Sequence, residues 1–339
     1  MRSLNLSERK KKILSAVVDE SIKTAEPVGS KALQEKYIQD ISSATIRNEL
    51  MALEEMGFLY QPHTSAGRVP TQEGYRKYVE ELMTVKKLSK TEADSIKASF
   101  TNSLISLDDV LQKAAKTISD ATNCASMIYY GIADSAKVEN IVLVKLNERK
   151  TLVIVVTDVG LLKREAPISS SEEELKKASN ILTNTFKGRN LEDIELNTDL
   201  LREKLIEYKE IFDYIINIIT TRDDDIENSI AVSGKEKLLD YPEYHDIDKF
   251  RKTMKVLEQK ESLYPLLSSD NGELEISVKI GGDETLGLTD CSIITANYKS
   301  KGKTIGSAGV VGPMRMDYSK IVSILKNVTE ALEKEFDKE

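Results

Sequence analysis

Residues 42–70, SSATIRNELMALEEMGFLYQPHTSAGRVP, leave the chain few ways to fold. Ile46, Leu50 and Leu53 recur at helical spacing behind Ser42-Ser43, a pair suited to capping a helix. The spacing predicts a helix over 44–56, and Gly57 stands where a left-handed residue stops a helix cheaply. Residues 58–61 read as extended, and 62–67 as a turn cluster. Arg68-Val69 returns as a second strand, and Pro70 ends the pairing.

Such a helix needs apolar neighbours, and they precede it. Ser7 caps a helix over 7–24 with Ile13, Leu14, Val17, Val18 and Ile22 on one side, and Glu26-Pro27 ends it. A short helix over 28–37 adds Val28, Leu33 and Tyr37. Three helices, two short strands and a small polar tip read as a winged helix-turn-helix.

The wheel of the third helix separates two roles. Opposite Ile46, Leu50 and Leu53 lie Ala44, Asn48, Met51, Ala52 and Glu55, with Thr45 and Arg47 on the flanks. The N-terminal half of such a helix enters the major groove of DNA. Small residues at Ser43 and Ala44 permit close approach. Asn48 can read adenine bidentately, Arg47 can reach guanine or a phosphate, and Met51 can meet a thymine methyl. The free amides near Ser42 and Ser43 favour a phosphate. His63, Thr64, Ser65 and Arg68 offer donors at the tip for a minor-groove or backbone contact. The alternative reading of each is a cap or a solvated side chain.

Charge divides the chain. The total is -8, from 48 Lys+Arg against 56 Asp+Glu, which alone argues against nucleic acid. Residues 1–80 hold 12 cationic and 11 anionic residues (+1), leaving 36 and 45 (-9) for the remainder. Arg2, Arg9, Lys10, Lys11 and Lys12 face only Glu8 among the first twelve residues. That run is either a solvated helix face or, with Lys11 foremost, a phosphate contact.

Other classes recede. A hydrophobic content of 40% supports a sizeable core, and no apolar run approaches the ~20 residues of a membrane span. Cys124 and Cys291, the only cysteines, make neither a disulfide scaffold nor a zinc module. With no signal-peptide pattern, the expected location is cytoplasmic. Gly302-Lys303-Thr304 lacks the upstream glycine of a phosphate loop, because Asn297 stands there. Gly306, Gly309 and Gly312 suit strand bulges and close packing, and Asp223-Asp224-Asp225 an acidic loop. His63 and His245 have no ligand cluster. No cofactor, metal or catalytic constellation is expected.

The stretches SSATIRNEL (42–50), QPHTSAGRVP (61–70), GYRKYV (74–79) and GPMRMDY (312–318) resemble the HrcA family of heat-inducible transcription repressors, in order and over the whole length. The resemblance implies a dimeric repressor of chaperone operons. It implies an inverted-repeat operator of the CIRCE type and activity maintained by the GroE chaperonin. It also implies a GAF-like domain interrupted by an inserted dimerisation segment.

The rest of the chain is read within that outline. A helix is expected over 72–83, a helical linker over 85–93, and a long helix to about 119 carrying Ile96, Phe100, Leu104, Leu107, Leu111 and Ile118. Strands follow at 125–130, 140–146, 152–158 and 161–167, then helices at 172–186 and 200–220. The second of these holds Leu205, Phe212, Ile216 and Ile219, an apolar stripe suited to a dimer core. A strand at 230–232 and helices at 235–239 and 246–267 precede strands at 273–280, 292–298 and 303–311. Ser319 caps a final helix to 336. Arg315 either crosses a dimer contact or decorates a turn.

The expected architecture is therefore α+β and multidomain: a winged helix-turn-helix (1–84), a linker and GAF-like domain (85–134 and 226–339) and an inserted dimerising domain (135–225). The expected function is a non-enzymatic, sequence-specific repressor on double-stranded DNA, working as a homodimer with no membrane partner. One reading helix covers one half-site, so a two-fold dimer matches an inverted repeat. Opening of the dimer by heat, or by loss of chaperonin, would then destroy head spacing and release the DNA. The rival expectation is a small-molecule-gated regulator that uses the GAF-like domain as sensor.

Overall fold

A computed structural model of the chain describes residues 6–100, 107–131, 136–199, 202, 208–221, 230–268, 275–283 and 288–337. The N-terminal head contains α1 (Glu8–Thr24), α2 (Ser30–Lys36) and α3 (Ser43–Glu55), then β1 (Leu59–Tyr60) and β2 (Val69–Pro70). Ser7 caps α1, and Ser42 caps α3 by accepting from the Thr45 amide at 3.1 Å. Ile13, Leu14, Val17, Leu33, Ile46, Leu50 and Leu53 close a common core. Gly57 takes φ +83° and turns the chain from α3 into β1. The hairpin pairs Leu59 with Pro70 and Tyr60 with Val69. Arg68 and Val28 exchange backbone hydrogen bonds of 2.8 and 2.9 Å, so the segment before α2 joins the hairpin. A Cβ at Gly67 would fall 2.4 Å from the Val28 carbonyl carbon, which is why glycine stands there.

Helix α4 (Gln72–Lys77) widens into a π-helical turn (Tyr78–Leu82), where the Tyr78 hydroxyl donates to Asp19 at 2.7 Å. The linker expected to be helical from 85 is instead extended up to Ser89. Its backbone is held by the last helix, α12 (Tyr318–Phe336), with Lys86 and Ser319 233 residues apart in sequence. The Lys86 amide donates to Ser319 Oγ at 2.9 Å, Ser319 donates to the Thr84 carbonyl at 2.9 Å, and Ser323 donates to the Lys86 carbonyl. Ser319 is thus a strap anchor rather than the helix cap, which is Asp317. Ser89 closes a capping box and starts α5 (Lys90–Ser99), followed by α6 (Leu107–Thr122). Ile96, Phe100, Leu111 and Ile118 are buried in this chain's own core. Leu104 lies outside the described residues.

The body is a five-stranded antiparallel sheet. Its strands are β3 (Ala125–Tyr130), β7 (Ile230–Ser233), β8 (Ile276–Asp283), β9 (Leu288–Ser300) and β10 (Lys303–Pro313), ordered β7-β3-β10-β9-β8. Strand β10 is buried from Ile305 to Pro313. Ala308 and Val310 pack in one core with α6 and α12. Ser307, Gly309 and Val311 face the other way, toward α10 (Ile247–Glu258) and α11 (Lys260–Ser268). These two helices replace the single one expected over 246–267. Gln259 leaves helical backbone (φ -87°, ψ 88°), and both halves then bury Val256, Leu257, Leu263, Leu266 and Leu267 in one cluster.

A second antiparallel sheet is built from β4 (Val138–Asn147), β5 (Lys150–Thr157) and β6 (Leu161–Ala166). On one side lie α7 (Glu172–Phe186), α8 (Leu191–Leu196), which the sequence pattern did not predict, and α9 (Lys209–Thr220). Phe186 and Phe212 stack there with ring centroids 6.0 Å apart. Phe212, Ile216 and Ile219 are therefore core residues of the single chain, which corrects their reading as a dimer core; Leu205 lies outside the described residues. The opposite face carries Val142, Val144, Leu152, Ile154, Val156 and Leu161, aligned by strand register, and none of them is buried. Among the described residues no helix is long and apolar enough to cross a membrane.

Replacing Phe212 with Ala should cost about 3–5 kcal/mol of stability in chemical denaturation, as expected for a buried aromatic. A loss below ~1 kcal/mol would mean that the side chain is solvated in the isolated chain.

Candidate nucleic-acid interface

Helix α3 presents the polar face that its wheel anticipates. Ser42, Ala44, Arg47 and Asn48 are exposed, and Met51 is 47% exposed. Thr45 is half-buried, with its hydroxyl 2.8 Å from Ser42 Oγ, so this pair organises the cap. Ser43 Oγ lies 3.0 Å from Ser30 Oγ and sets the start of α2 against the start of α3. At the tip, His63, Thr64 and Ser65 are exposed. The Gln61 amide shapes that turn by donating to the Thr64 and Ala66 carbonyls at 3.1 and 2.9 Å.

The charges sort themselves by partner. Arg9 and Lys10 both reach Glu49 on α3, at 3.6 and 2.7 Å. Lys11 pairs with Glu8 at 2.9 Å and Lys12 with Asp40 at 3.2 Å. The basic run is thus matched by carboxylates within the head. Lys11 faces a groove lined by Asp19, Glu81 and Leu82, and the Glu8 carboxylate raises its pKa. Lys11 is thus paired inside the free head, in an exposed pair of the kind a phosphate can displace. Lys36, Arg76 and Lys77 also hold acidic partners. Among the described residues of the head, Arg47, Lys31 and Lys23 carry no ion pair, and Lys23 instead donates to the Tyr37 hydroxyl at 2.8 Å. Lys31 is exposed in the first turn of α2, beside the Ser30–Ser43 contact. Sequence spacing did not single it out; its position beside α3 is a tertiary fact.

Arg68 does not stand where the sequence pattern places it. Its side chain is 13% exposed, and Nη2 lies 2.8 Å from Glu54 Oε2 at the end of α3. Its backbone is bound to Val28 on both sides. Arg68 thus fastens the hairpin to α3 rather than standing free at the tip. Arg315, expected at a dimer contact or in a plain turn, pairs within the chain with Glu243 and stacks over the Tyr241 ring at 5.4 Å.

The remaining chemistry is quiet. Burial pushes the Cys124 thiol up to about 11 and the Cys291 thiol up to about 12, so neither is a nucleophile at neutral pH. Among the described residues no group of three His, Cys, Asp or Glu side chains could hold a metal ion, and Asp223, Asp224 and Asp225 lie outside them. A mixed α+β body bearing a small helical head with one exposed polar helix face is the build of a transcription regulator.

Comparison with known proteins narrows the class. The profile described as the HrcA protein C terminal domain matches residues 108–322. The chain is 36% identical over 343 aligned positions to the heat-inducible transcription repressor HrcA of Pelotomaculum thermopropionicum, with 98% of each chain covered. It is 35% identical to that of Bacillus pumilus, covering 96% of this chain and 97% of the relative. A solved structure described as a hypothetical protein shares the fold, with a TM-score of 0.61 at 22% identity, covering 98% of this chain and 99% of that one. The chain belongs to the HrcA family of heat-inducible transcription repressors, a family of regulators and not of enzymes.

Arg68→Met should lower stability by about 1–3 kcal/mol in thermal unfolding, because it strands a charged partner. The dependence of DNA binding on salt should keep its slope. A fall of about one in that slope would instead make Arg68 a phosphate contact.

Proposed function

We propose that the head is a winged helix-turn-helix over residues 1–84 and that it reads operator DNA through α3. The observation that carries this reading is the exposed face of Arg47, Asn48 and Met51, with Arg47 unpaired while most other head cations hold carboxylates. Asn48 and Arg47 supply base-edge contacts, and Met51 an apolar contact to a thymine methyl. The Ser42–Ser43–Thr45 cap and Lys31 receive phosphate, and His63, Thr64 and Ser65 take the flanking backbone or minor groove.

Residues 85–134 and 226–339 form a GAF-like body, and 135–225 an inserted dimerising unit. The face of Val142, Val144, Leu152, Ile154, Val156 and Leu161 supports pairing with a second copy: Val144 is 42% and Leu161 53% exposed, on an apolar patch that exposed Asn140, Lys163 and Glu165 adjoin. This face replaces the α9 stripe and Arg315 as the dimer contact. A two-fold pair of heads fits an inverted repeat, the CIRCE type of operator that regulates chaperone operons. Before pairing, the same apolar face is surface of the kind a chaperonin captures, so dependence on the GroE chaperonin follows from it.

Two experiments test these parts. Arg47→Ala and Asn48→Ala should each cost about 1–3 kcal/mol on an inverted-repeat operator and relax base preference in mobility-shift titrations. Equal losses on random DNA would remove α3 as the reading helix. Val144→Glu should convert the protein from a dimer to a 37.9 kDa monomer in light scattering, and wild-type monomer under the same conditions would exclude the sheet face as the interface.

A further inference from the structure

Arg315 occupies the turn between β10 and α12, and its guanidinium touches two distant segments, one at Tyr241 and Glu243 and one at Ile22. It takes both carboxylate oxygens of Glu243, with Nη2 to Oε2 at 3.2 Å. It lies 5.4 Å from the centroid of the Tyr241 ring. Its Nη1 donates to the Ile22 carbonyl at 3.4 Å, across 293 residues of sequence. Ile22 belongs to the last turn of α1, where carbonyls lack helical partners and a cation complements the negative end of the helix dipole. Ala25, the C-cap, is left-handed (φ 59°), and its amide is committed to the Ser21 carbonyl. The side chain of Arg315 is 14% exposed, and Glu243 fixes its fork in place.

Two more contacts join head and body beside it. The Gln72 amide donates to the Ile280 carbonyl at 2.9 Å, and the Tyr75 and Tyr318 rings lie 6.3 Å apart. Tyr75 in turn meets Ser21, one residue before Ile22, with 3.3 Å between hydroxyls. The end of α1, the start of α4 and the turn after β10 thus form one joint. The exposed reading face of α3 is not part of it.

We infer that Arg315 is a positioning residue for operator binding: anchored on Glu243 and Tyr241, it caps α1 and holds each head at a fixed orientation on the body. This rests on the reading of the protein as a two-headed operator binder. A fixed orientation makes the second half-site contact intramolecular at high effective concentration, and a swivelling head dilutes it. The residue touches no DNA, so its loss leaves a single head's contacts intact.

The test compares wild type, Arg315→Gln and Glu243→Gln as full chains on duplexes carrying one or two half-sites, with hydrogen exchange of the 22–28 amides in the free proteins. Both variants should weaken two-half-site binding by about tenfold or more while changing one-half-site binding less than about twofold, with an unchanged salt slope. Exchange over 22–28 should quicken in both. Equal losses on the two duplexes, a slope reduced by about one for Arg315→Gln, or unchanged two-half-site affinity would each overturn the inference. Both variants keep the head sequence intact, and Glu243→Gln loosens the joint while leaving the Arg315 side chain in place. If wild type shows no preference for two half-sites, the two-headed reading fails. The exchange result then decides whether Arg315 still fixes the head, and unchanged exchange in both variants rejects it.

Discussion

Strand β10 has no face turned to water, and the placement of everything else follows from that. Its residues alternate between two cores, so helices must cover the sheet on both sides. The turn at its end delivers Arg315 to the α1 terminus and launches α12 along the sheet. Helix α12 then holds the extended connector through Ser319 and Ser323. A head of about eighty residues is thereby tied to a buried strand by polar contacts at two points, a connection stiffer than the connector's sequence alone suggests.

Local physics made much of this legible. The third helix could be placed because its apolar period, its serine cap and Gly57 agree. Its exposed face followed from the wheel. The helix over 172–186 and the strand over 125–130 were equally clear, since each has one dominant period and a sharp boundary. The failures share another cause. Arg68, Arg315 and Ser319 are polar residues whose roles depend on partners in other elements: Glu54, Glu243 with Ile22, and the Thr84 carbonyl. Spacing along the chain carries no signal of such partners. The stripe at 212–219 was correctly read as apolar, yet periodicity does not distinguish a chain's own core from a subunit interface. The register of β4, β5 and β6 supplied the uncovered face instead.

The charge of -8 takes its meaning from pairing. The run of Arg9, Lys10, Lys11 and Lys12 could have been an indiscriminate phosphate grip, but Glu8, Asp40 and Glu49 answer it. Exposed pairs such as Lys12 with Asp40 are worth at most about 1 kcal/mol and can yield to a phosphate, but they lower non-specific attraction. In the proposed reading, a weakly attractive head on an acidic body draws its affinity from base contacts made twice, so head spacing and orientation would set that affinity.

The most direct measurement is a spacer series. The full chain is titrated with inverted-repeat duplexes whose half-sites are separated by the natural gap, or by about half a helical turn more (~5 bp). Two heads held rigidly on a dimeric body should lose the second contact when the half-sites rotate to opposite sides, so affinity should fall to that of a lone half-site. Affinity indifferent to the added half turn would contradict the claim that fixed heads on a paired body make the repressor.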